Sequence, residues 1–112
     1  LVLGGGYIGL ELAQAYRRLG ARVTVVERNS GLVHREDPDV SAAMGELFRD
    51  EGIEVAANVV IERVSGTSGE SVTLHATQAG KPVEIVGSHL LVAAGRTPNT
   101  DGIGLDLPAI TL

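Results

Sequence analysis

Two segments of the chain repeat apolar residues at the spacing of an amphipathic helix. The repeating positions are Ile8, Leu12, Ala15, Tyr16 and Leu19 in the first segment, and Val40, Met44, Leu47 and Phe48 in the second. We expect Gly20 and Gly52 to end the two helices. Asp37 and Pro38 are predicted to begin the second helix, as its N-cap and its first helical residue.

Short apolar runs surround these helices and predict strands at residues 1–3, 22–27 and 53–57. The order strand, helix, strand, helix, strand is typical of a parallel sheet with right-handed crossovers. Residues 89–94 are almost continuously apolar, as expected of a central strand in such a sheet. The predicted fold class is therefore α/β, and the tail from Thr100 to Leu112 has no clear periodicity.

Three further strand-like runs lie between these parts of the predicted sheet. The runs and the turn-forming residues between them are 59–64, 65–69, 72–77, 79–80 and 82–86. In the middle run, apolar and polar residues alternate, which is typical of a sheet with one solvent-exposed face. We predict an inserted three-stranded antiparallel β-meander.

Composition limits the class of protein further. The chain has 112 residues, 44% of them hydrophobic, and a formal net charge of −5, which is unfavourable for binding nucleic acid or an anionic membrane. No apolar run approaches the roughly 20 residues of a membrane-spanning helix. The absence of cysteine excludes disulfides and thiolate metal sites within these residues, and the scattered His34, His75 and His89 predict no metal site. Since the first strand is very short and no Met precedes it, we expect residues 1–112 to be a single domain of a longer protein.

A glycine cluster falls between the first strand and the first helix. Gly4, Gly5, Gly6, Tyr7, Ile8 and Gly9 fit the pattern G-x-G-x-x-G of Rossmann-like dinucleotide-binding folds. In that pattern the first glycine turns the chain, the second admits a pyrophosphate and the third allows the helix to pack closely. The alternative is a tight turn that binds no ligand. We predict a Rossmann-like sheet and a phosphate site at this helix N-terminus.

Glu27 lies 18 residues after Gly9, at the end of the second predicted strand. A carboxylate at this position is expected to accept both hydroxyls of an adenosine ribose. It would repel a 2′-phosphate, so NAD(H) is preferred over NADP(H). Arg28, His34 and Arg35 could pair with such a phosphate, or be solvated beside Glu36 and Asp37, and NADP(H) therefore remains possible.

The glycine cluster with Glu11, the Val-Val-Glu of the second strand, and the run from Leu91 to Asn99 together resemble one family. They are similar to the nicotinamide-nucleotide domain of the pyridine nucleotide-disulfide oxidoreductases, flavoproteins that include dihydrolipoamide dehydrogenase, glutathione reductase and mercuric reductase. The resemblance covers nearly the whole chain, including the inserted meander.

The resemblance implies roles for matching positions. Tyr7 would cover the nicotinamide pocket against the flavin, and Glu11 would approach the nicotinamide carboxamide. Ile61 would pack beside the adenine, and Gly95 would line the cofactor. The alternatives are an ordinary amphipathic tyrosine, a first-turn acid favoured by the helix dipole, and a core isoleucine.

The resemblance also implies a larger flavoprotein in which nicotinamide reduces FAD. FAD would bind mainly outside this segment, which lacks the redox cysteines, the flavin motif and the acid/base pair and so contains no catalytic residue. The implied partners are FAD and dimerisation domains of the same chain, in a cytoplasmic homodimer. Two alternatives stay open: an FAD-binding copy of the same fold, and a stand-alone dinucleotide-binding or sensing module.

Overall fold

The computed structural model describes residues 1–101 and 103, so most of the tail from Thr100 to Leu112 lies outside the described residues. Within these described residues, two helices and seven strands form in the predicted order. They are β1 (Val2–Leu3), α1 (Tyr7–Arg18), β2 (Thr24–Val26), α2 (Pro38–Asp50), β3 (Glu54–Ala56), β4 (Val59–Thr67), β5 (Ser71–Gln78), β6 (Lys81–Gly87) and β7 (Leu91–Val92). The parallel strands are shorter than the apolar runs that predicted them.

A parallel sheet of four strands has the order β3-β2-β1-β7. Val2 pairs with Val25 on one side and with Leu91 on the other, both in parallel register. The expectation that residues 89–94 form a central strand is wrong among the described strands, because β7 pairs with β1 alone and Val92 is 64% exposed. Strands β2 and β1 are the inner strands instead.

The two faces of this sheet are covered by different elements. On one face the helices and the loop after β2 enclose a cluster that includes Val2, Val25 and Phe48. On the other face the meander encloses Val26 and Leu74 in a second cluster. Because neighbouring residues of β2 point to opposite faces, both faces require apolar side chains. This explains why the strands read as continuous apolar runs.

Helix α1 ends as predicted but presents a different face to the core. Gly20, at φ +99°, donates to the carbonyl of Arg17, and Ala21 donates to that of Tyr16, which is a Schellman ending. The buried residues are Gly9, Leu10 and Ala13. The apolar positions whose spacing predicted the helix are exposed: Ile8, Leu12, Ala15, Tyr16 and Leu19. Small residues point inward because α1 lies close to the sheet.

Helix α2 begins with Asp37 as N-cap and Pro38 as first residue, as predicted, although the Asp37 side chain makes no capping bond among the described residues. Phe48 is buried and Met44 packs against the same cluster. The other two residues of the apolar stripe, Val40 and Leu47, are 43% and 45% exposed.

The predicted meander is confirmed as an antiparallel sheet of order β4-β5-β6. Its polar residues face outward, as the alternation in β5 indicates. The turn predicted at residues 65–69 is wrong in part, because β4 continues to Thr67 and the chain turns over residues 68–70. Gly66 remains in the strand, where its φ of +99° and a Cβ position 2.0 Å from the carbonyl oxygen of Ser71 require glycine.

Candidate functional site

The turn between β1 and α1 is packed against both neighbouring strands. Gly4 has φ +112°, and its N–H donates to the carbonyl of Val26 across 2.9 Å. A Cβ at Gly4 would lie 2.4 Å from the carbonyl oxygen of Ala93, and a Cβ at Gly9 would lie 2.1 Å from the carbonyl oxygen of Gly4. Glycine therefore lets the turn, the helix and the segment after β7 come together.

Gly6 differs from the other glycines of this turn. It is the N-cap of α1 in an extended conformation, and no described atom lies within 4 Å of a Cβ built on it. The first N–H groups of a helix have no partner within the helix, and they carry the positive end of its dipole. The residues present therefore fit a pyrophosphate, because the cradle at the start of α1, the space that a Gly6 side chain would enter, is open.

Glu27 is placed beside this cradle but is buried, with 5% of its surface exposed. Its Oε2 accepts a hydrogen bond from the backbone N–H of Gly5 at 2.6 Å. Its Oε1 accepts from the backbone N–H of Asn29 at 2.8 Å and from the Asn29 side-chain amide at 2.6 Å. The carboxylate thus joins the end of β2 to the glycine turn and to the loop that follows β2.

These contacts determine the charge of Glu27. Burial by itself raises the pKa of the Glu27 carboxyl, but the hydrogen bonds from Asn29 and Gly5, with a contribution from nearby His34, outweigh it. The pKa is lowered overall, and Glu27 is ionised at neutral pH. A buried anion is therefore built into the wall of the site.

The basic residues of the loop after β2 are exposed at Arg28, His34 and Arg35. Among residues 1–101, no ion pair joins these basic residues to Glu36 or Asp37. The alternative in which the loop cations pair with these two acids therefore does not hold. Glu36 instead accepts a hydrogen bond from the Tyr7 hydroxyl, and this bond raises the pKa of Tyr7, as do burial and the Glu36 charge. The loop cations are thus available to an anionic ligand.

Tyr7 and Glu11 line a groove of about 410 Å³ between α1 and α2, with Val33, Val40 and Phe48 among the other lining residues. Tyr7 is 60% exposed at the mouth of this groove. Glu11 lies in the second turn of α1, so the reading of it as a first-turn acid is wrong. The two residues share one surface beside the glycine turn.

Ile61 and Gly95 lie on other elements around the same end of the sheet. Ile61 is partly buried and packs against the cluster that contains Val26, which agrees with the core alternative. Gly95 follows β7 at φ +107°, with open space around it.

A larger cavity of about 950 Å³ lies at the opposite end of the sheet, where the parallel strands begin. Open α/β sheets bind ligands at the carboxyl ends of their strands, so this cavity is not at the expected ligand site.

Two features were missed by sequence reasoning. The first is Asn29, whose only sequence signal is a small amide two residues after the strand-ending acid. The second is a hydrogen-bonded series on the outer face of the meander, in which His75 contacts the Ser65 hydroxyl at 2.8 Å and the Glu84 carboxylate at 2.9 Å. Ser65 lines neither the groove nor the larger cavity described above. The series links the three strands of the meander on their solvent-facing side.

Comparison with known proteins agrees with this fold. Residues 1–109 match the family model described as pyridine nucleotide-disulphide oxidoreductase. The chain belongs to that family, whose members are oxidoreductases. It is 43% identical over 106 residues to a mercuric reductase of Streptomyces lividans, a match that covers 95% of this chain and 22% of the relative.

Solved structures give the same result. The flavoprotein disulfide reductase RclA of Escherichia coli, as its Cu(II) complex, superposes with a TM-score of 0.79 at 32% identity, covering 99% of this chain and 24% of RclA. The water-forming NADH oxidase of Lactobacillus brevis bound to NADH, and its engineered NADPH-bound form, each superpose with a TM-score of 0.75 at 28% identity, covering 89% of this chain and 21% of theirs. The chain thus spans about a fifth to a quarter of the length of these relatives.

Residues 1–101 and 103 contain neither a candidate membrane span nor a candidate metal cluster. Neither helix in this part of the chain has the length and apolar character required to cross a membrane. No group of three or more histidine, aspartate or glutamate side chains there is arranged to hold a metal ion.

Proposed function

We propose that this chain is the NAD(P)H-binding domain of a larger FAD-dependent pyridine nucleotide-disulfide oxidoreductase, where it positions nicotinamide for hydride transfer to flavin. The observation that carries the proposal is the open cradle at Gly6, walled by an ionised Glu27 that is hydrogen-bonded to Gly5. The bound nucleotide supplies the hydride. The residues of this chain bind and orient it, and they contribute no redox group.

Each part of the site has a defined task in this proposal. The N–H groups at the start of α1 bind the pyrophosphate, assisted by the helix dipole. Glu27 contacts the adenosine ribose, with Ile61 near the adenine. Tyr7, Glu11 and Gly95 surround the nicotinamide end, as the family resemblance implies. The exposed apolar face of α1 supports further packing in a longer protein, because Leu19 is 83% and Ile8 59% exposed.

NAD(H) is the preferred nucleotide in this proposal. The engineered NADPH-bound relative carries five substitutions: glycine and aspartate to alanine, alanine to arginine, methionine to serine, and proline to arginine. In that relative, the substituted aspartate lies 18 positions after the substituted glycine and 7 positions before the substituted proline. Gly9, Glu27 and His34 have the same spacing here.

By that spacing the chain keeps the glycine and the acid of the NADH-bound enzyme, with Glu27 as the acid, but has Arg28 where the NADPH-bound form has its first new arginine. An ionised, buried Glu27 repels a 2′-phosphate, and this effect dominates because it lies closest to the ribose. Arg28 and His34 lessen the penalty, so NADPH binds more weakly rather than being excluded. A cytoplasmic location and a homodimeric parent stay predictions.

The proposal is tested by Gly6→Val in the full-length protein. Gly6 has φ −85° and ψ 177°, which valine adopts readily, so the fold is expected to survive. The variant should keep its flavin at the wild-type stoichiometry, while NADH no longer reduces that flavin. The control is Gly45→Ala in α2, which should behave as wild type. Loss of flavin from a folded Gly6→Val protein would instead identify this fold as the FAD-binding copy, and unchanged NADH reduction would overturn the cradle.

A further inference from the structure

The hydrogen bonds of Glu27 leave it little capacity for a ligand. A carboxylate has about four acceptor positions, two on each oxygen. Oε1 already accepts two bonds, both from Asn29, and Oε2 accepts one from Gly5. One position on Oε2 remains. Glu27 therefore cannot accept both ribose hydroxyls, as its sequence position predicts, without breaking a contact within the protein.

Asn29 is held in one orientation by the same contacts. Its backbone N–H and its side-chain Nδ2 both donate to Glu27. Its backbone carbonyl accepts a hydrogen bond from the backbone N–H of Asn58 at 3.0 Å. Because a carboxylate only accepts, the amide must turn its nitrogen toward Glu27 and its oxygen away. A flipped amide would place Oδ1 against an ionised carboxylate. Glu27 thus fixes which atom Asn29 presents to a ligand.

We propose that Asn29 is a second ribose-recognition residue, whose Oδ1 accepts the adenosine-ribose hydroxyl that Glu27 cannot take. This inference rests on the function proposed above and deepens it. A hydroxyl can donate to Oδ1, whereas a 2′-phosphate presents only acceptor oxygens near neutral pH and leaves Oδ1 without a donor. Asn29 therefore adds to the discrimination against NADPH by hydrogen-bond complementarity, independently of the Glu27 charge. The engineered NADPH-bound relative agrees in that its residue two positions after the altered acid is changed to serine, whose hydroxyl donates as well as accepts.

The test combines Asn29→Ala with two NADH analogues that lack the 2′- or the 3′-hydroxyl of the adenosine ribose. Dissociation constants are measured by calorimetry on the full-length protein. In the wild type, removing either hydroxyl should weaken binding roughly 3- to 10-fold. In Asn29→Ala, NADH itself should bind roughly 3- to 10-fold more weakly than it binds the wild type. One of the two analogues should then bind this variant as tightly as NADH does. Ser30→Ala, an exposed neighbour in the same loop, is the control and should retain both losses.

The outcomes separate direct recognition from a merely structural role. If Asn29 only supports Glu27, Asn29→Ala should reduce the sensitivity to both hydroxyls equally, and this result would overturn the inference. Asn29→Ser provides a second variant that keeps a small polar group, and it should raise NADPH affinity relative to NADH. Failure of the wild type to respond to either hydroxyl, together with unchanged binding in Gly6→Val, would overturn the proposed function as well. Loss of binding in Gly6→Val without any coupling at Asn29 would overturn the inference alone.

Discussion

The carboxylate of Glu27 accepts a hydrogen bond of 2.6 Å from the backbone N–H of Gly5, 22 residues earlier in the chain. This bond joins the end of β2 to the turn that follows β1. The acid that the sequence analysis assigned to a ligand therefore also holds the glycine turn in shape. Under the proposed function, stability and nucleotide binding are therefore coupled through this one side chain.

Replacing Glu27 with glutamine should weaken both properties. Glutamine keeps one acceptor oxygen, but its NH2 group would face N–H donors and leave at least one of them unpaired. We expect a loss of about 1 to 3 kcal/mol in the free energy of unfolding, measured by urea denaturation, and weaker NADH binding. Glu46→Gln, at an exposed position of α2, is the matched control and should change neither. Equal stability of the two variants would show that the buried hydrogen bonds contribute nothing net.

The lowered pKa of Glu27 predicts an acid-dependent loss of stability. The folded state holds the anion more tightly than the unfolded chain, where the ordinary value is 4.5. The contribution is therefore fully present above pH 4.5 and is lost as pH falls through the lower folded-state pKa. Urea midpoints measured from pH 7 to pH 3 should fall more steeply for the wild type than for Glu27→Gln. Parallel curves for the two proteins would contradict the prediction.

Gly4→Ala and Gly20→Ala form a pair that separates backbone strain from steric overlap. Both glycines have positive φ, at +112° and +99°, but a Cβ at Gly4 meets the Ala93 carbonyl at 2.4 Å whereas a Cβ at Gly20 meets no described atom within 4 Å. We expect Gly20→Ala to cost about 1 to 2 kcal/mol from strain alone. Gly4→Ala should cost a further 1 to 3 kcal/mol, roughly, from overpacking. Similar unfolding energies for the two variants would show that the turn can move away from β7.

Nucleotide preference should respond to charge at the end of β2. Glu27→Ala combined with Asn29→Ser removes the anion and the fixed amide while it retains Arg28. We expect the ratio of NADPH to NADH affinity to rise about tenfold or more, because removal of a like charge near a 2′-phosphate is worth about 1 to 4 kcal/mol and each 1.4 kcal/mol, roughly, is a factor of ten. Adding Arg28→Ala should cancel much of this gain, and high salt should reduce it. Titration of both nucleotides into the three proteins measures the effect, and an unchanged ratio would contradict it.

The sequence by itself determined the order of elements, the parallel sheet with its inserted meander, and the position of the glycine turn. These features depend on local properties: the spacing of apolar residues, the positive φ that Gly4 and Gly20 allow, and the alternation along β5. The separation of Gly9 and Glu27 was enough to predict an acid beside the turn.

Only the tertiary structure decided which helix face is buried and how Glu27 is used. Periodicity shows that apolar side chains recur, but the distance between α1 and the sheet selects Gly9 and Ala13 for the core and leaves Leu12 and Tyr16 exposed. The bond between Gly5 and Glu27 joins residues far apart in sequence, so no local pattern reports it. Long-range contacts determine how many hydrogen bonds each polar group already makes within the protein. Only the donor and acceptor positions left over are open to a ligand.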